Sequence, residues 1–275
     1  MTWHRALACA AALAMALAAA STYQSEIAQW RAQREKALRA EGGWLTLTGL
    51  FWLHEGANPF GKDAANEIAI EDGAAHAGIF ELKDGKVTVT MDGSTRAVKP
   101  DSADVVKCGR LSLLAIQRSG KFGIRVKDPE SAARRGFHGL EYFPASEAWR
   151  VTARWVAAPR RIPILNILGQ TESSDCPGYA VFQLQGKELR LYPILEEPDA
   201  KELFYIFRDE TAGKETYGAG RFLYSGLPQD GSVTLDFNKA YNPPCTFTPY
   251  ATCPLPPPEN RLAVRIEAGE KKYGH

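Results

Sequence analysis

A proline-rich segment near the carboxyl end constrains the fold of this chain more than any other stretch. It runs from Tyr241 to Leu262 as YNPPCTFTPYATCPLPPPENRL and contains Cys245 and Cys253. Proline fixes its own φ, lacks an amide donor and drives the residue before it to extended geometry. The sequence therefore predicts a rigid, polyproline-like loop here, without a helix or a regular strand.

The amino end has the pattern of a secretory signal peptide. Residues 1–20, MTWHRALACAAALAMALAAA, join Arg5 to an alanine-rich apolar run that closes with the small residues Ala18 and Ala20. Because this run is too short to span a membrane, we expect Sec-type export to the periplasm or the exterior, with cleavage near Ala20. No transmembrane segment is expected after processing.

Four of the five cysteines follow this segment, an even number that suits an oxidising compartment. They are Cys108, Cys176, Cys245 and Cys253, and three pairings are open. We favour Cys245 with Cys253, because the loop between them is short and already bent by Pro249. The alternative is that these two are buried free thiols, packed as small hydrophobic side chains.

The charge balance argues against a nucleic-acid partner. The chain has 33 Lys and Arg against 32 Asp and Glu, a net charge of +1, and 45% of its residues are hydrophobic. Nucleic-acid binding needs a basic surface, whereas this composition supports a globular core. The sequence identifies no partner protein.

Hydrophobic periodicity predicts one helix followed by many strands. Tyr23, Ile27, Trp30 and Leu38 have helical spacing after a capping-box pattern at Ser21, and Gly42 stands where a helix would stop. Runs rich in β-branched and aromatic residues follow, many separated by Gly or Asp-Gly turns. The candidate strands are LTLTGLFWL, EIAI, GIFEL, KVTVTM, LSLLAIQ, FGIRV, WRVTARWV, YAVFQL, ELRLYPI, ELFYIF, RFLYS and SVTLDF. We predict a mainly β protein, with antiparallel sandwich-like or barrel-like sheets and one N-terminal α-helix.

A change in composition within DPESAARRGFHGLEYFPASEAWR predicts a boundary near Pro144. The predicted parts are a signal peptide at 1–20, a helix at 21–43, a sandwich-like β part at 44–143, and an antiparallel β part at 144–275 closed by the loop at 241–262.

Four stretches of the chain together resemble one protein family. They are GWLTLTGLFWLHEGANPFG, KDPESAARRGFHGLEYFP, ETYGAGRFLYSGLPQDGSVTLDFNKAYNPPC and the proline-rich segment itself. The chain resembles the domain of unknown function 1684 family of bacterial and archaeal proteins over roughly residues 30–272. This resemblance implies family membership and assigns no reaction or ligand.

A weaker resemblance concerns the amino-terminal half. FGKDAANEIAIEDGAAHAGIFELKDGKVTV looks like the core of a forkhead-associated β-sandwich. Lys62 stands in place of the first arginine of that pattern, and Ala74, Ala75 and His76 lie near its second motif. The resemblance implies a sandwich without phosphothreonine binding.

Familiar catalytic and cofactor motifs are missing from the sequence. It has no nucleophile elbow, phosphate-binding glycine loop, dinucleotide fingerprint or closely spaced His and Cys ligands. We therefore predict neither a cofactor nor a metal, and leave open whether the protein is an enzyme.

The strongest polar constellation lies in the carboxyl-terminal part. In SVTLDFNKAYN, alternation places Val233, Leu235 and Phe237 on one face and Thr234, Asp236 and Asn238 on the other. One interpretation is a core face and a solvated face. The other is a concave ligand surface, for which the predicted binding residues are Tyr217, Arg221, Asp236, Asn238, Tyr241, Asn242 and Arg261. Small residues at Gly218 and Gly220 would let a ligand or the proline-rich loop approach the backbone.

Candidate catalytic residues are carboxylates of the same region. Asp209, Glu215 or Asp236 would act as general base, with Arg221 or Arg261 stabilising negative charge. For Arg261 the structural alternative is a buried arginine that holds the loop through backbone carbonyls. His54 beside Glu55 could be a general base or a ligand, although a solitary histidine is weak evidence. His138 lies near Arg134, Arg135 and Glu141 in a basic corner that could receive an anionic group, and exposed loop charge explains it equally well.

Three functional hypotheses follow. The first is an exported protein that binds a small organic or carbohydrate-like ligand in the carboxyl-terminal β part. The second is a hydrolase without a familiar motif, and the third is a structural or envelope-interaction protein that docks through the rigid loop.

Overall fold

A computed structural model describes residues 22–274 of the chain. The predicted signal peptide at 1–20 and the predicted helix cap at Ser21 lie outside the described residues. None of the helices in the described part is long and apolar enough to cross a membrane.

The predicted N-terminal helix is present as α1, residues 22–39, and it ends before Gly42. Tyr23, Ile27 and Leu38 are buried, as their helical spacing predicts. Trp30 belongs to the same stripe but is only half-buried. A second helix, α2 (Ala132–Arg135), is a single turn capped by Ser131.

The described chain forms two compact units that interleave along the sequence. Unit 1 contains 22–36, 139–246 and 254–274, and unit 2 contains 37–138 and 247–253. The division falls between His138 and Gly139, and the domain boundary near Pro144 stays a prediction. Each unit has its own core.

Unit 2 contains two sheets. Its strands are β1 (Leu47–Trp52), β2 (Gly56–Gly61), β3 (Ile68–Ala69), β4 (Gly78–Lys83), β5 (Lys86–Met91), β6 (Ser94–Val98), β7 (Val106–Cys108), β8 (Leu111–Arg118) and β9 (Lys121–Lys127). The strand orders are β1-β9-β8-β7 and β3-β2-β4-β5-β6. Alternating side chains of both sheets, including Phe60, Phe80, Leu113 and Ile124, form one core.

Unit 1 contains the remaining strands. They are β10 (Arg150–Leu165), β11 (Thr171–Leu184), β12 (Lys187–Leu191), β13 (Glu202–Phe207), β14 (Arg221–Gly226) and β15 (Ser232–Asp236). One sheet has the order β12-β11-β10-β15, and β13 pairs with β14 in a two-stranded sheet. Tyr205, Leu223, Leu235 and Phe237 are completely buried in the core of this unit.

The predicted fold class is confirmed, with corrections in detail. Every pair of neighbouring strands is antiparallel except the short β2–β3 pair. Within residues 22–274 the sheets are open, so the barrel-like alternative is wrong. Each candidate strand is observed at least in part, whereas β2, β6 and β7 were missed. β2 contains Pro59 between glycines, and β6 is a mostly exposed edge, so neither has the apolar alternation of a core strand.

The proline-rich segment is irregular, as predicted, apart from 3₁₀ turns at Pro244–Thr246 and Pro258–Asn260.

Cys245 and Cys253 are disulfide-bonded, which confirms the favoured pairing. Cys108 and Cys176 are free and buried, and burial raises the pKa of both thiols. A Cβ on Gly220 would lie 2.6 Å from Pro256 Cγ, so this glycine admits the proline-rich segment.

Candidate functional site

A cleft in unit 1 is the strongest candidate site. Its volume is about 290 Å³, and strands β10, β13, β14 and β15 meet there with α1 and the residues that follow β15. The lining residues are Trp30, Arg150, Glu202, Tyr224, Ser225, Gly226, Thr234, Asp236, Lys239 and Tyr241. The antiparallel register explains part of this set, because Arg150 lies directly opposite Asp236 and Glu202 opposite Gly226.

The two tyrosines of the cleft are engaged with other rings. Tyr224 stacks on Phe204 with 4.8 Å between centroids, and it lies parallel to Tyr241 at 6.3 Å. The Arg34 guanidinium lies 4.6 Å from the centroid of the Tyr241 ring. Burial raises the pKa of both phenols, so they remain protonated. These rings form a rigid wall.

Trp30 differs from the tyrosines. Its indole lines the cleft from α1, and within residues 22–274 it has no ring or cation contact. A half-buried tryptophan that no other ring or cation contacts offers an apolar platform and an N–H donor to a bound molecule.

Asp236 has one satisfied and one unsatisfied carboxylate oxygen. Its Oδ1 accepts from Tyr23 Oη at 2.9 Å and from the Asn238 amide N and Nδ2 at 3.1 and 3.0 Å. Its Oδ2 is buried and has no hydrogen-bond partner among the described residues, although Lys239 Nζ lies 4.0 Å away. A buried acceptor left without a donor is costly, and it is a natural position for a ligand donor.

The cleft has balanced charge. Asp236 and Glu202 contribute two acids, and Arg150 and Lys239 contribute two bases. Lys239 Nζ lies 2.5 Å from Glu26 Oε1, and this hydrogen bond lowers the pKa of Glu26. Lys239 is therefore held between Glu26 and Asp236 at the cleft.

Arg221, predicted to bind ligand, lies sealed in the core at 1% exposure. Its guanidinium donates to Asp209 Oδ1 at 3.2 Å, to the Ile266 carbonyl at 2.9 Å and to the Ala268 carbonyl. Asp209 also accepts from the Ile266 amide at 2.7 Å and from Thr211 Oγ1 at 2.8 Å. Burial lowers the pKa of Arg221, and the charge of Asp209 opposes that shift. Both residues act as structural fasteners.

Asn238 and Asn242 are completely buried and hold backbone segments. β15 ends at Asp236, and a 3₁₀ turn begins at Phe237, so the predicted alternation stops there. Asn238 Nδ2 donates to the Ser146 carbonyl at 2.8 Å. The backbone N–H of Asn242 donates to Glu270 Oε2 at 2.7 Å. Arg34 Nε donates to the other carboxylate oxygen of Glu270, Oε1, at 2.9 Å.

Three further predicted site residues do not line this cleft. Glu215 pairs with Arg265 at 2.7 Å, which lowers the pKa of Glu215, and Tyr217 is partly buried. Arg261 is exposed, so the alternative of a buried arginine fastener is wrong at this position. Its neighbour Asn260 has that role, because Nδ2 donates to the Tyr192 and Ile206 carbonyls at 2.8 and 2.9 Å.

The histidine candidates lie in unit 2 and on its surface. His54 Nε2 lies 2.5 Å from Glu67 Oε2, and its hydrogen bonds to the Glu55 carbonyl and to Glu67 raise the pKa of the imidazole. His138 is exposed. Among the described residues, no group of three or more His, Cys, Asp and Glu could hold a metal ion.

A second cleft, of about 400 Å³, lies within unit 2 between Leu45, Arg110, Arg135 and Tyr250. Its principal charges satisfy each other, because Arg110 Nε and Nη2 both donate to Asp128 at 2.9 Å. It is therefore a weaker candidate than the cleft that holds Asp236.

The structure thus brings together Asp236 and Tyr241 of the predicted binding set. The other cleft residues with reactive or aromatic side chains were missed: Trp30, Arg150, Glu202, Tyr224 and Lys239. One signal was available for Trp30, because a tryptophan on an otherwise buried helical stripe often marks a ligand or partner surface. The others lie on separate elements whose proximity the sequence does not encode locally.

One comparison with known proteins identifies a family. The family described as Protein of unknown function (DUF1684) matches residues 135–271. A solution NMR structure of an uncharacterised protein from Haloarcula marismortui is 32% identical, with a TM-score of 0.43, over 50% of this chain and 78% of that one. No curated protein matches, and the forkhead-associated resemblance is not confirmed. The chain belongs to the domain of unknown function 1684 family.

Proposed function

We propose that the unit 1 cleft binds a small organic molecule. The observation that carries this proposal is that one concave site is lined both by Asp236, whose buried Oδ2 has no hydrogen-bond partner among the described residues, and by the half-buried Trp30. Ligand sites combine apolar walls with a few fixed polar groups, and this cleft has both. Its volume of about 290 Å³ suits a ligand smaller than most drugs.

The same geometry gives less support to hydrolysis. Asp209 is saturated by Arg221, Thr211 and the Ile266 amide, and Glu215 is paired with Arg265. Of the three candidate bases only Asp236 lines the cleft, because Glu215 lies outside it although its Oε2 lacks a hydrogen-bond partner in the described part of the chain. Arg221 is too deeply buried to stabilise a ligand's charge. The docking hypothesis has no comparable feature in its favour at the loop.

Export is part of this proposal. It is supported by the signal-peptide pattern of residues 1–20 and by the disulfide between Cys245 and Cys253, which is compatible with an oxidising compartment. Amino-terminal sequencing of the protein from its host tests export. A mature end near Ser21 is expected, and an intact Met1 would contradict it.

Binding is tested by NMR titration of the ¹⁵N-labelled protein with mixtures of neutral, cationic and anionic small molecules. We expect shifts of the Trp30 indole signal, assigned by its loss in Trp30→Phe. Trp30→Ala should weaken the affinity about tenfold or more, because a buried aromatic contact is lost.

The matched control is Trp52→Ala, which removes a tryptophan that is 37% exposed in unit 2. It should leave affinity unchanged. If no mixture shifts the Trp30 signal, or if both variants bind equally, the cleft is not a ligand site.

A further inference from the structure

We infer that the ligand is a neutral, hydroxylated ring compound, one hydroxyl of which bridges Asp236 Oδ2 and Lys239 Nζ. This inference rests on the proposed function and names the chemical class that the cleft selects. It follows from the distance between Asp236 Oδ2 and Lys239 Nζ, from the equal numbers of acidic and basic residues in the cleft, and from which aromatic rings contact other rings.

The spacing favours a single hydroxyl group. Asp236 Oδ2 and Lys239 Nζ are 4.0 Å apart, too far for a direct hydrogen bond. An oxygen about 2.8 Å from each atom would bridge them, with an angle of about 90° at that oxygen. A hydroxyl can donate to the carboxylate and accept from the ammonium at once. It therefore satisfies the unpartnered Oδ2 without displacing Lys239 from Glu26.

Charged groups fit the same position less well. A ligand ammonium at Asp236 Oδ2 would lie near Lys239 Nζ, which is 4.0 Å from that oxygen, and Arg150 also lines the cleft. A ligand carboxylate at Lys239 would face Asp236 and Glu202. Like charges at such distances repel strongly in a half-buried site. Either charge would therefore meet an unfavourable neighbour, whereas a neutral hydroxyl would not.

The aromatic groups define the rest of the ligand. Tyr224 and Tyr241 stack with neighbouring rings, whereas no ring or cation among the described residues contacts the Trp30 ring. One free platform and about 290 Å³ suit one ring that has an apolar C–H face and hydroxyls at its edge. Thr234 and Glu202 supply further exposed polar groups along the same cleft. Monosaccharides and cyclic polyols have this chemistry.

The test compares neutral sugars with counterparts in which one group is replaced by a charged one. The purified protein is titrated with glucose, galactose and mannose, and with the 2-amino and the uronic acid counterpart of each sugar. The Trp30 indole signal is followed by NMR. We expect at least one neutral sugar to bind, and its amino and acid counterparts to bind about tenfold more weakly.

Two variants isolate the bridging hydroxyl. Lys239→Met should weaken the neutral sugar about tenfold and reduce the discrimination against the amino sugar, since the repelling ammonium is gone. Asp236→Asn should reduce the discrimination against the uronic acid. The matched control is Lys187→Met, whose exposed lysine in β12 lies outside the cleft, and it should change neither ratio. Thermal unfolding confirms that each variant is folded.

The outcomes separate this inference from the proposed function. Tighter binding of an amino or acid sugar, or of a ligand without hydroxyls, overturns the inference and leaves the cleft as a binding site. Unchanged charge selectivity in folded Lys239→Met also overturns it. If no compound of any charge class shifts the Trp30 signal, the proposed function itself fails.

Discussion

Unit 1 contains two acid–base pairs that differ in their exposure to solvent. The side chains of Asp209 and Arg221 are each 1% exposed. The Asp209 carboxylate accepts hydrogen bonds from Arg221, Thr211 Oγ1 and the Ile266 backbone amide. Asp236 and Lys239 are 9% and 27% exposed, and Asp236 Oδ2 has no hydrogen-bond partner within residues 22–274. Arg221 Nε also lacks a partner in the described part of the chain, but neither Arg221 nor Asp209 lines the cleft, so we call these two residues the sealed pair. Asp236 and Lys239, which do line it, are the open pair.

Burial of an acid–base pair alone does not mark a ligand site. The more buried pair is the one whose polar atoms are nearly all used, by backbone carbonyls, a backbone amide and Thr211. Buried polar groups stabilise a fold when they are satisfied and are available to a ligand when they are not. The predictions below test this contrast by stability.

The largest effect is expected for Arg221→Met. It leaves the Asp209 carboxylate buried without its cation, so the free energy of unfolding should fall by about 3–5 kcal/mol. Chemical unfolding followed by circular dichroism measures the change. Arg261→Met is the matched control, because this exposed arginine should matter by no more than about 0.5 kcal/mol.

The double variant Arg221→Met with Asp209→Asn should be less destabilised than the sum of the single variants, since neither partner is left as an isolated charge. Additive losses would show that the two side chains act independently, and the sealed pair would then be a poor contrast to the open one.

A second sealed acid, Glu270, should show a pH dependence. It is fully buried, and burial raises its pKa above the ordinary 4.5 despite Arg34. The folded protein thus holds this proton more tightly, so its contribution to stability is full below the unfolded pKa and is lost as pH rises through the folded pKa. Glu270→Gln should cost about 2 kcal/mol near pH 4 and less at higher pH.

Urea unfolding of wild type and Glu270→Gln from pH 4 to pH 8 measures this difference. Glu210→Gln, an exposed neighbour of the sealed pair, is the control and should show no such trend. A cost that grows with pH would contradict the raised pKa.

Tyr23→Phe tests the satisfied half of the open pair. It removes the donor to Asp236 Oδ1 at 2.9 Å and the acceptor of Asn238 Nδ2 at 2.7 Å. We expect a loss of about 1–2 kcal/mol, measured by chemical unfolding. Tyr250→Phe removes a phenol oxygen from a residue that is 38% exposed and should be neutral. Equal effects of both variants would mean that the Oδ1 network does not stabilise the protein.

The smallest effect is expected for Lys239→Met. This partly exposed lysine makes ion pairs with Glu26 and Asp236, and such surface pairs contribute about 0–1 kcal/mol. Thermal unfolding measures the change in stability, with Lys187→Met as the matched control. A loss as large as that of Arg221→Met would show that the open pair is structural, which would remove the contrast.

Much of the fold could be predicted because its signals are local. Helical spacing identified Tyr23, Ile27 and Leu38 as core residues, and short Asp-Gly turns identified hairpins such as β4–β5. The disulfide followed from the short, bent loop between its cysteines. Strand β2 was missed because Pro59 and its flanking glycines are typical of a loop.

Much less of the site could be predicted, because its residues meet through distant pairing. Arg150 reaches Asp236 only through the β10–β15 register, and Trp30 arrives from α1. Arg221 was predicted to bind a ligand because it follows Gly218 and Gly220, small residues that would let a ligand approach the backbone. Its hydrogen bonds to the carbonyls of Ile266 and Ala268, which no local pattern encodes, seal it instead.

The interleaving of the two units has a consequence for the order of folding during synthesis. Unit 2 begins near residue 37, but its last segment, 247–253, leaves the ribosome after most of unit 1. Thr248 Oγ1 donates to the Leu47 carbonyl at 2.9 Å across a sequence separation of 201. Such distant closure slows folding. We therefore expect unit 2 to remain incomplete until residues 247–253 emerge, and the disulfide to form only then.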